Sequence, residues 1–285
     1  MQSKHFSTIR RSGTILAACL TALTLTAAPS PATAAPHRLA LIWADDFDQP
    51  AGTPPDPANW NHDTGGEGWG NEELQYYTNS TRNAAHDGAG NLAITAHKEQ
   101  VADSNCWYGT CEYSSARLTT KNKFTQAYGR FEIRLKLPSG QGMWPAFWML
   151  GSDYEEAGWP NCGEIDVMEN VGNEPRTVYG TLHGPGFFDE NGLAGETTNP
   201  SGMPLSADFH TFAVDWTPER ITWSLDGNTY HSRTEADVPS GGRWVFDHPF
   251  FLLLNLAVGG TWPGSPDDTT QFPQQLIVDY IHVYQ

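Results

Sequence analysis

Three acids fall within six residues at Glu164-Ile165-Asp166-Val167-Met168-Glu169. Side chains alternate along a regular strand, so Glu164 and Asp166 share one face and Ile165 and Val167 the other. Glu169, five positions beyond Glu164, would then point to the wrong side. A β-bulge at Val167 or Met168 inserts one residue and restores it. All three carboxylates then line one face, with apolar side chains behind. Like charges that close raise one another's pKa values, a cost that a chain carries for a purpose. Glycoside hydrolysis is such a purpose. It needs one ionised carboxylate and one protonated carboxyl across a sugar linkage, about 5–5.5 Å apart where configuration is retained. At ~3.3 Å per residue the two glutamate backbones stand about 13 Å apart, so each side chain must lean toward the other. Asp166, between them, can hydrogen-bond either neighbour and help separate their pKa values. The alternatives are a metal cluster and an acidic strand without chemistry.

Aromatic residues surround this segment. Met143-Trp144-Pro145-Ala146-Phe147-Trp148 lies just upstream, on what reads as the neighbouring strand, and Trp144 and Trp148 share a face there. Sugars offer flat C–H surfaces that stack on indole, and hydroxyls that want amide, carboxylate and guanidinium partners. Of 11 tryptophans, several sit in glycine-rich stretches where little core forms, such as Trp69 in Gly-Trp-Gly-Asn and Trp262 in Gly-Gly-Thr-Trp-Pro-Gly. A core indole is the ordinary role for a tryptophan; so many in loops favours a sugar-binding cleft for some.

The elements that must position these groups are strands. Phe131, Ile133, Leu135 and Leu137 alternate with Arg130, Glu132, Arg134 and Lys136, and Asn91 to His97 alternates through Leu92, Ile94 and Ala96. Phe212, Val214 and Trp216 share a face, as do Ile221, Trp223 and Leu225, which end at a hairpin-like Asp226-Gly227. Phe250 to Leu256 is a continuous apolar run that reads as a central strand. No helical stripe of ten or more residues is present. Short period-two segments between Gly, Pro, Asn and Asp clusters predict an all-β sandwich or jelly roll, with a barrel as the alternative.

Residues 1–35 read as a secretory signal peptide: Lys4, Arg10 and Arg11, an apolar run from Thr14 to Ala28, and an Ala-Thr-Ala triplet at Ala32 to Ala34. Residues 36–285 are then expected to form a single catalytic domain, secreted and acting as a monomer. Without the leader's three basic residues, 13 Lys and Arg stand against 33 Asp and Glu, a net charge of −20. That field repels nucleic acid, anionic membranes and acidic polysaccharides, and a neutral partner suits it better. Cys106 and Cys111 bracket a four-residue loop that export would close as a disulfide. Cys162 is left as an expected buried thiol.

The residues from Gly163 to Glu169 resemble the active-site strand of glycoside hydrolase family 16, in the bulged form of laminarinase-like endo-β-1,3-glucanases. The resemblance extends over nearly all of residues 36–285, through Trp43 to Asp48, Gly68 to Tyr77, Ser115 to Leu118, Trp144 to Trp148, Thr181 to Gly184 and Val278 to Ile281. It implies a β-jelly-roll sandwich of two antiparallel sheets, one of them forming a concave cleft for a β-glucan. It further implies Glu164 as nucleophile, Glu169 as general acid and base, Asp166 as their hydrogen-bonding assistant and His183 on the leaving-group side. Asn71, Arg117, Trp144, Trp148 and Trp262 match substrate-binding positions. No cofactor is implied for catalysis. A structural Ca²⁺ is, with Asp46, the backbone of Gly90 and Asp279 as the equivalent ligands. Internal β-1,3 bonds are the expected target, and mixed-linkage β-1,3-1,4-glucan or another neutral glycan is the alternative. A non-catalytic glucan-binding relative would lack the two glutamates.

Overall fold

A computed structural model describes residues 39–285, and the signal peptide expected over residues 1–35 lies outside them. Each alternating segment is a strand. In Gly129–Lys136 the side chains of Phe131, Ile133 and Leu135 are fully buried, while Arg130, Glu132, Arg134 and Lys136 stay partly in solvent. Arg220–Leu225 turns into Asn228–Arg233 through Asp226-Gly227, whose φ values of 49° and 76° make the tight left-handed corner that this dipeptide favours.

Besides one two-stranded hairpin, the strands of the described residues form two large sheets. One runs in the order Gly195–Thr198, Thr177–His183, Glu164–Glu169, Met143–Gly151, Phe250–Val258, Arg117–Thr119 and Asn61–Asp63, all antiparallel. The other places Asn228–Arg233, Arg220–Leu225, His210–Thr217, Gly129–Lys136, Gln274–Tyr284, Leu92–Lys98, Tyr113–Ser115 and Gln75–Tyr77 side by side. The sheets are antiparallel as expected, apart from one pair, Gln75–Tyr77 and Tyr113–Ser115, which runs parallel. The stretch between them, which includes Leu92–Lys98, is long enough for the crossover that a parallel pair requires. Helix is confined to Tyr154–Ala157 and two 3₁₀ turns among the described residues.

The sheets pack face to face as a β-jelly-roll sandwich around one core, where Phe131, Ile133 and Val214 meet Phe147, Met149, Ile165 and Leu254. Phe250–Val258 is buried throughout because both its faces are covered. Phe250, Leu252, Leu254, Leu256 and Val258 enter the main core. On the opposite face, Phe251 and Leu253 join Leu150 and Cys162 in a small second cluster. Burial pushes the Cys162 thiol up to about 11, which leaves it unreactive. Cys106 and Cys111 are disulfide-bonded across the short hairpin of Asn105–Cys106 and Gly109–Thr110.

One contact ties the second sheet to the carboxylate strand. Trp223, fully buried, donates its indole N–H to the Asp166 carbonyl at 2.7 Å. Gly180 makes room for it, since a β-carbon there would lie 2.3 Å from the indole ring. Trp223→Phe keeps an aromatic side chain but removes the donor and the second ring, so a buried carbonyl loses its partner and a small cavity opens. The expected loss is about 2–4 kcal/mol of unfolding free energy, read from denaturant titration. An unchanged midpoint would contradict this role for the indole.

Candidate active site

The carboxylate strand carries the extra residue. Against Met143–Gly151, Glu169 pairs with Ala146 and Met168 with Phe147, but Asp166 already pairs with Trp148, which leaves Val167 without an opposite number. Against Thr177–His183, Glu169 pairs with Tyr179 and Asp166 with Thr181, so Val167 and Met168 together oppose Gly180. Both consecutive side chains enter the core, and Ile165 lies there as well. The alternation is thus broken once, and Glu164, Asp166 and Glu169 all face the opposite side.

There they line a cleft of about 500 Å³ together with Trp144, Trp148, Arg117, Trp69 and Asn71. Trp159 donates its indole N–H to Glu164 Oε2 at 2.6 Å, and Trp144 donates to Glu169 Oε1 at 3.0 Å. His183 stands opposite Glu164 in the adjoining strand, with Nε2 3.1 Å from Asp166 Oδ2. Polar atoms of Glu164, Asp166 and His183 lie within 4.8 Å of one another, close enough to share a cation. His183 therefore reaches the carboxylate cluster from the strand beyond it, behind Asp166.

Burial sets the electrostatics. It pushes Glu164 up to about 8, helped by the charge of Asp166 and opposed by His183 and the Trp159 donor. Glu169 is pushed up to about 7, again first by burial, with His183 and Trp144 pulling the other way. Asp166 is also raised, by burial and then by the charge of Glu169. The cleft therefore retains protons near neutral pH. Their order does not by itself select the acid, because both glutamates are lifted by the same cause. The hydrogen bond between Glu164 and Asp166 raises the first and lowers the second, so the two carboxyls hold one proton between them, on the Glu164 side.

A polar layer supports the aromatic wall. Buried Glu73 accepts from Gln75 Nε2 at 2.6 Å, Tyr77 OH at 3.0 Å and Asn71 Nδ2 at 3.1 Å. Tyr77 OH in turn accepts from Asn255 Nδ2 at 3.1 Å, and Asn255 Oδ1 accepts from Trp148 Nε1 at 2.7 Å. Arg117 completes the wall. Its guanidinium lies over Trp69 at 4.6 Å and Trp148 at 4.7 Å, while Nε donates to Asp63, opposite it in register. Cation–π contact on both sides holds this charge flat against the cleft.

The structure brings Asn71, Arg117, Trp144 and Trp148 together with the carboxylates. Trp262 sits at the rim instead, packed edge-on against Trp144 at 5.5 Å and Tyr179 at 4.9 Å. It thus borders the Glu169 end of the carboxylate strand, where the glycine-rich loop after Phe250–Val258 leaves it. The calcium ligand set does not fit as expected. Asp279 is paired with the Arg134 guanidinium, Asp46 accepts from His282 at 2.7 Å, and the carboxylate beside Gly90 is that of Asp48. A guanidinium on one expected ligand repels the ion it should hold.

Sequence reasoning missed Trp159, Glu73 and Asn255. Asn255 did leave a signal, as the single polar residue within Phe-Phe-Leu-Leu-Leu-Asn-Leu-Ala-Val. Trp159 precedes Glu164 by five residues in a loop, and nothing local aims its N–H at that carboxylate. Glu73 lies inside the Gly68 to Tyr77 motif, but its burial is a tertiary property.

The profile of glycosyl hydrolases family 16 matches residues 71–282. The chain is 45% identical over 260 residues to a β-glucanase of Rhodothermus marinus, covering 88% of this chain and 86% of that one. It is 38% identical over 262 residues to the glucan endo-1,3-β-glucosidase A1 of Niallia circulans, covering 86% of this chain and 38% of that one. The crystal structure of the laminarinase catalytic domain from Thermotoga maritima MSB8 superposes with a TM-score of 0.81 at 49% identity, over 87% of this chain and 98% of that one.

The raised carboxyls make stability fall with pH. Glu169 holds its proton in the folded chain up to about 7, whereas an unfolded glutamate loses it near its ordinary value of 4.5. Between those values the folded state binds more protons, so stability declines as pH rises, and above 7 the whole penalty remains. Glu169→Gln keeps an acceptor for Trp144 and removes the charge. It is expected to be more stable than the parent by roughly 2 kcal/mol at pH 8, with the gap closing below pH 4.5, the unfolded value. Melting temperatures across that range test it, and equal stability at pH 8 would contradict the buried charge.

Proposed function

The chain belongs to glycosyl hydrolases family 16, and on that premise we propose that it is a retaining endo-β-1,3-glucanase whose nucleophile is Glu164 and whose general acid and base is Glu169. The observation that carries this reading is the bulge, which turns two glutamates five residues apart into the same cleft, with Asp166 between them. Its activity as a hydrolase of β-glucan is that of the relatives it matches over most of its length.

The reaction runs in two displacements. Glu164 attacks the anomeric carbon while Glu169 gives its proton to the departing glycosidic oxygen. Glu169, now a carboxylate, takes a proton from water as that water displaces Glu164 from the glycosyl-enzyme. Trp159 supplies an N–H that stabilises Glu164 in its ionised form, and Asp166 stands beside Glu164 to take up its proton before the attack. Trp144 orients Glu169. The Trp69–Arg117–Trp148 wall offers stacking surfaces and a hydrogen-bonding cation to a sugar, which suits a neutral glycan. With a net charge of −17, the chain repels anionic polysaccharides. Export is part of this proposal, supported by the Cys106–Cys111 disulfide and the basic and apolar opening of the sequence. Mixed-linkage β-1,3-1,4-glucan fits the same cleft chemistry, and a panel of laminarin, curdlan, lichenan and agarose separates the two specificities.

Glu169→Gln is expected to slow laminarin hydrolysis by roughly 10²–10⁴-fold while glucan binding stays close to that of the parent. Proton NMR of the first products should show the β-anomer. Initial release of the α-anomer would rule out the double displacement.

A further inference from the structure

We propose that Trp107, on the hairpin closed by Cys106–Cys111, is an additional sugar-binding platform that extends the cleft beyond Trp69. The proposal rests on the reading of the cleft as a glucan site. Trp107 is the most exposed tryptophan among the described residues, at 49%. A ring left half in water on a hairpin of two-residue strands is not filling a core.

Its place is contiguous with the cleft. Trp107 Nε1 donates to the Glu73 carbonyl at 2.8 Å, and a β-carbon on Gly68 would come within 2.9 Å of Trp107 Cδ1. Glu73 lines the cleft, as do Glu67 and Trp69 on either side of Gly68. From the carboxylate strand, the sheet order leads through Trp144 and Trp148 to Arg117, over which Trp69 lies, and Gly68, next to Trp69 in sequence, packs against the Trp107 ring. The hairpin is pinned by more than the disulfide. Tyr108 OH donates to the Leu74 carbonyl at 2.7 Å, and its ring packs edge-on against Trp107 at 5.5 Å.

The chemistry selects the occupant. The indole N–H is already satisfied within the protein, so the ring has only its apolar surface to offer. That suits the C–H face of a pyranose. Exposed Glu67 and Glu72 nearby can accept sugar hydroxyls and repel anionic chains. A glucan long enough to pass Trp69 meets this surface; a short oligosaccharide does not.

Chain length is therefore the test. Trp107→Ala is expected to raise KM for laminarin about 5-fold with kcat kept, the scale of one aromatic contact. Kinetics on the shortest oligosaccharide cleaved should stay at the parent's level. Trp107→Leu, which keeps an apolar cover over Gly68 without an aromatic face, should show the same length-dependent loss, and Trp107→Phe should recover most of it. Retardation in laminarin-containing gels reads binding without turnover and should weaken in the Ala and Leu variants alone. An equal loss on short and long substrates would mean that the hairpin only braces the catalytic loop, and no loss on either would leave the ring without a role; both overturn the proposal and spare the glucanase reading. Inactivity of the parent chain on every β-glucan would overturn both.

Discussion

A single unpaired residue decides what this sheet can do. Strand side chains alternate with a period of two, and nothing in that rule permits groups five apart to share a face. Val167, opposed by no residue of Met143–Gly151, breaks the period once. The main chain remains paired on both sides of the break, so the strand stays in the centre of its sheet. Val167 and Met168 anchor the irregularity by filling the core in succession. The catalytic pair proposed here is thus held by hydrophobic packing on the far side of its own strand.

That placement has an electrostatic cost. Three carboxyls share a buried space, and burial lifts every one of them above its ordinary range. The chain contains the cost with donors that carry no charge: indole N–H groups from Trp144 and Trp159 reach the two glutamates. A lysine or arginine at the same points would form tight ion pairs and hold both carboxylates ionised. Neutral donors leave room for a proton, which acid–base chemistry at a glycosidic bond requires.

The aromatic wall of the cleft follows a similar logic one layer down. Glu73, Tyr77 and Asn255 form a buried chain of hydrogen bonds ending at the Trp148 indole. Each polar atom there finds a partner, which is the condition under which a buried network adds rigidity instead of instability. Trp148 is fixed through its N–H and through the Arg117 guanidinium lying on its face. An aromatic surface held in this way loses little side-chain entropy when a sugar stacks on it.

Much of this was legible in the order of residues alone. The strands of the sandwich follow from alternation, as in Gly129–Lys136, because a half-buried strand must separate apolar from polar side chains at every second position. The bulge was legible too, since three acids in six residues make chemical sense only on one face, and the apolar residues between them need a core. The parallel pairing of Gln75–Tyr77 with Tyr113–Ser115, the rim position of Trp262 and the Arg134 partner of Asp279 were not. Nor was the donation of Trp159 to Glu164, or the burial of Glu73. Those depend on which loops meet, and loop contacts carry no periodicity that a sequence can display. Local spacing determined the class of fold and narrowed the chemistry, which the family resemblance then singled out, whereas the partners that tune each charge were decided by segments that become neighbours only when the two sheets close.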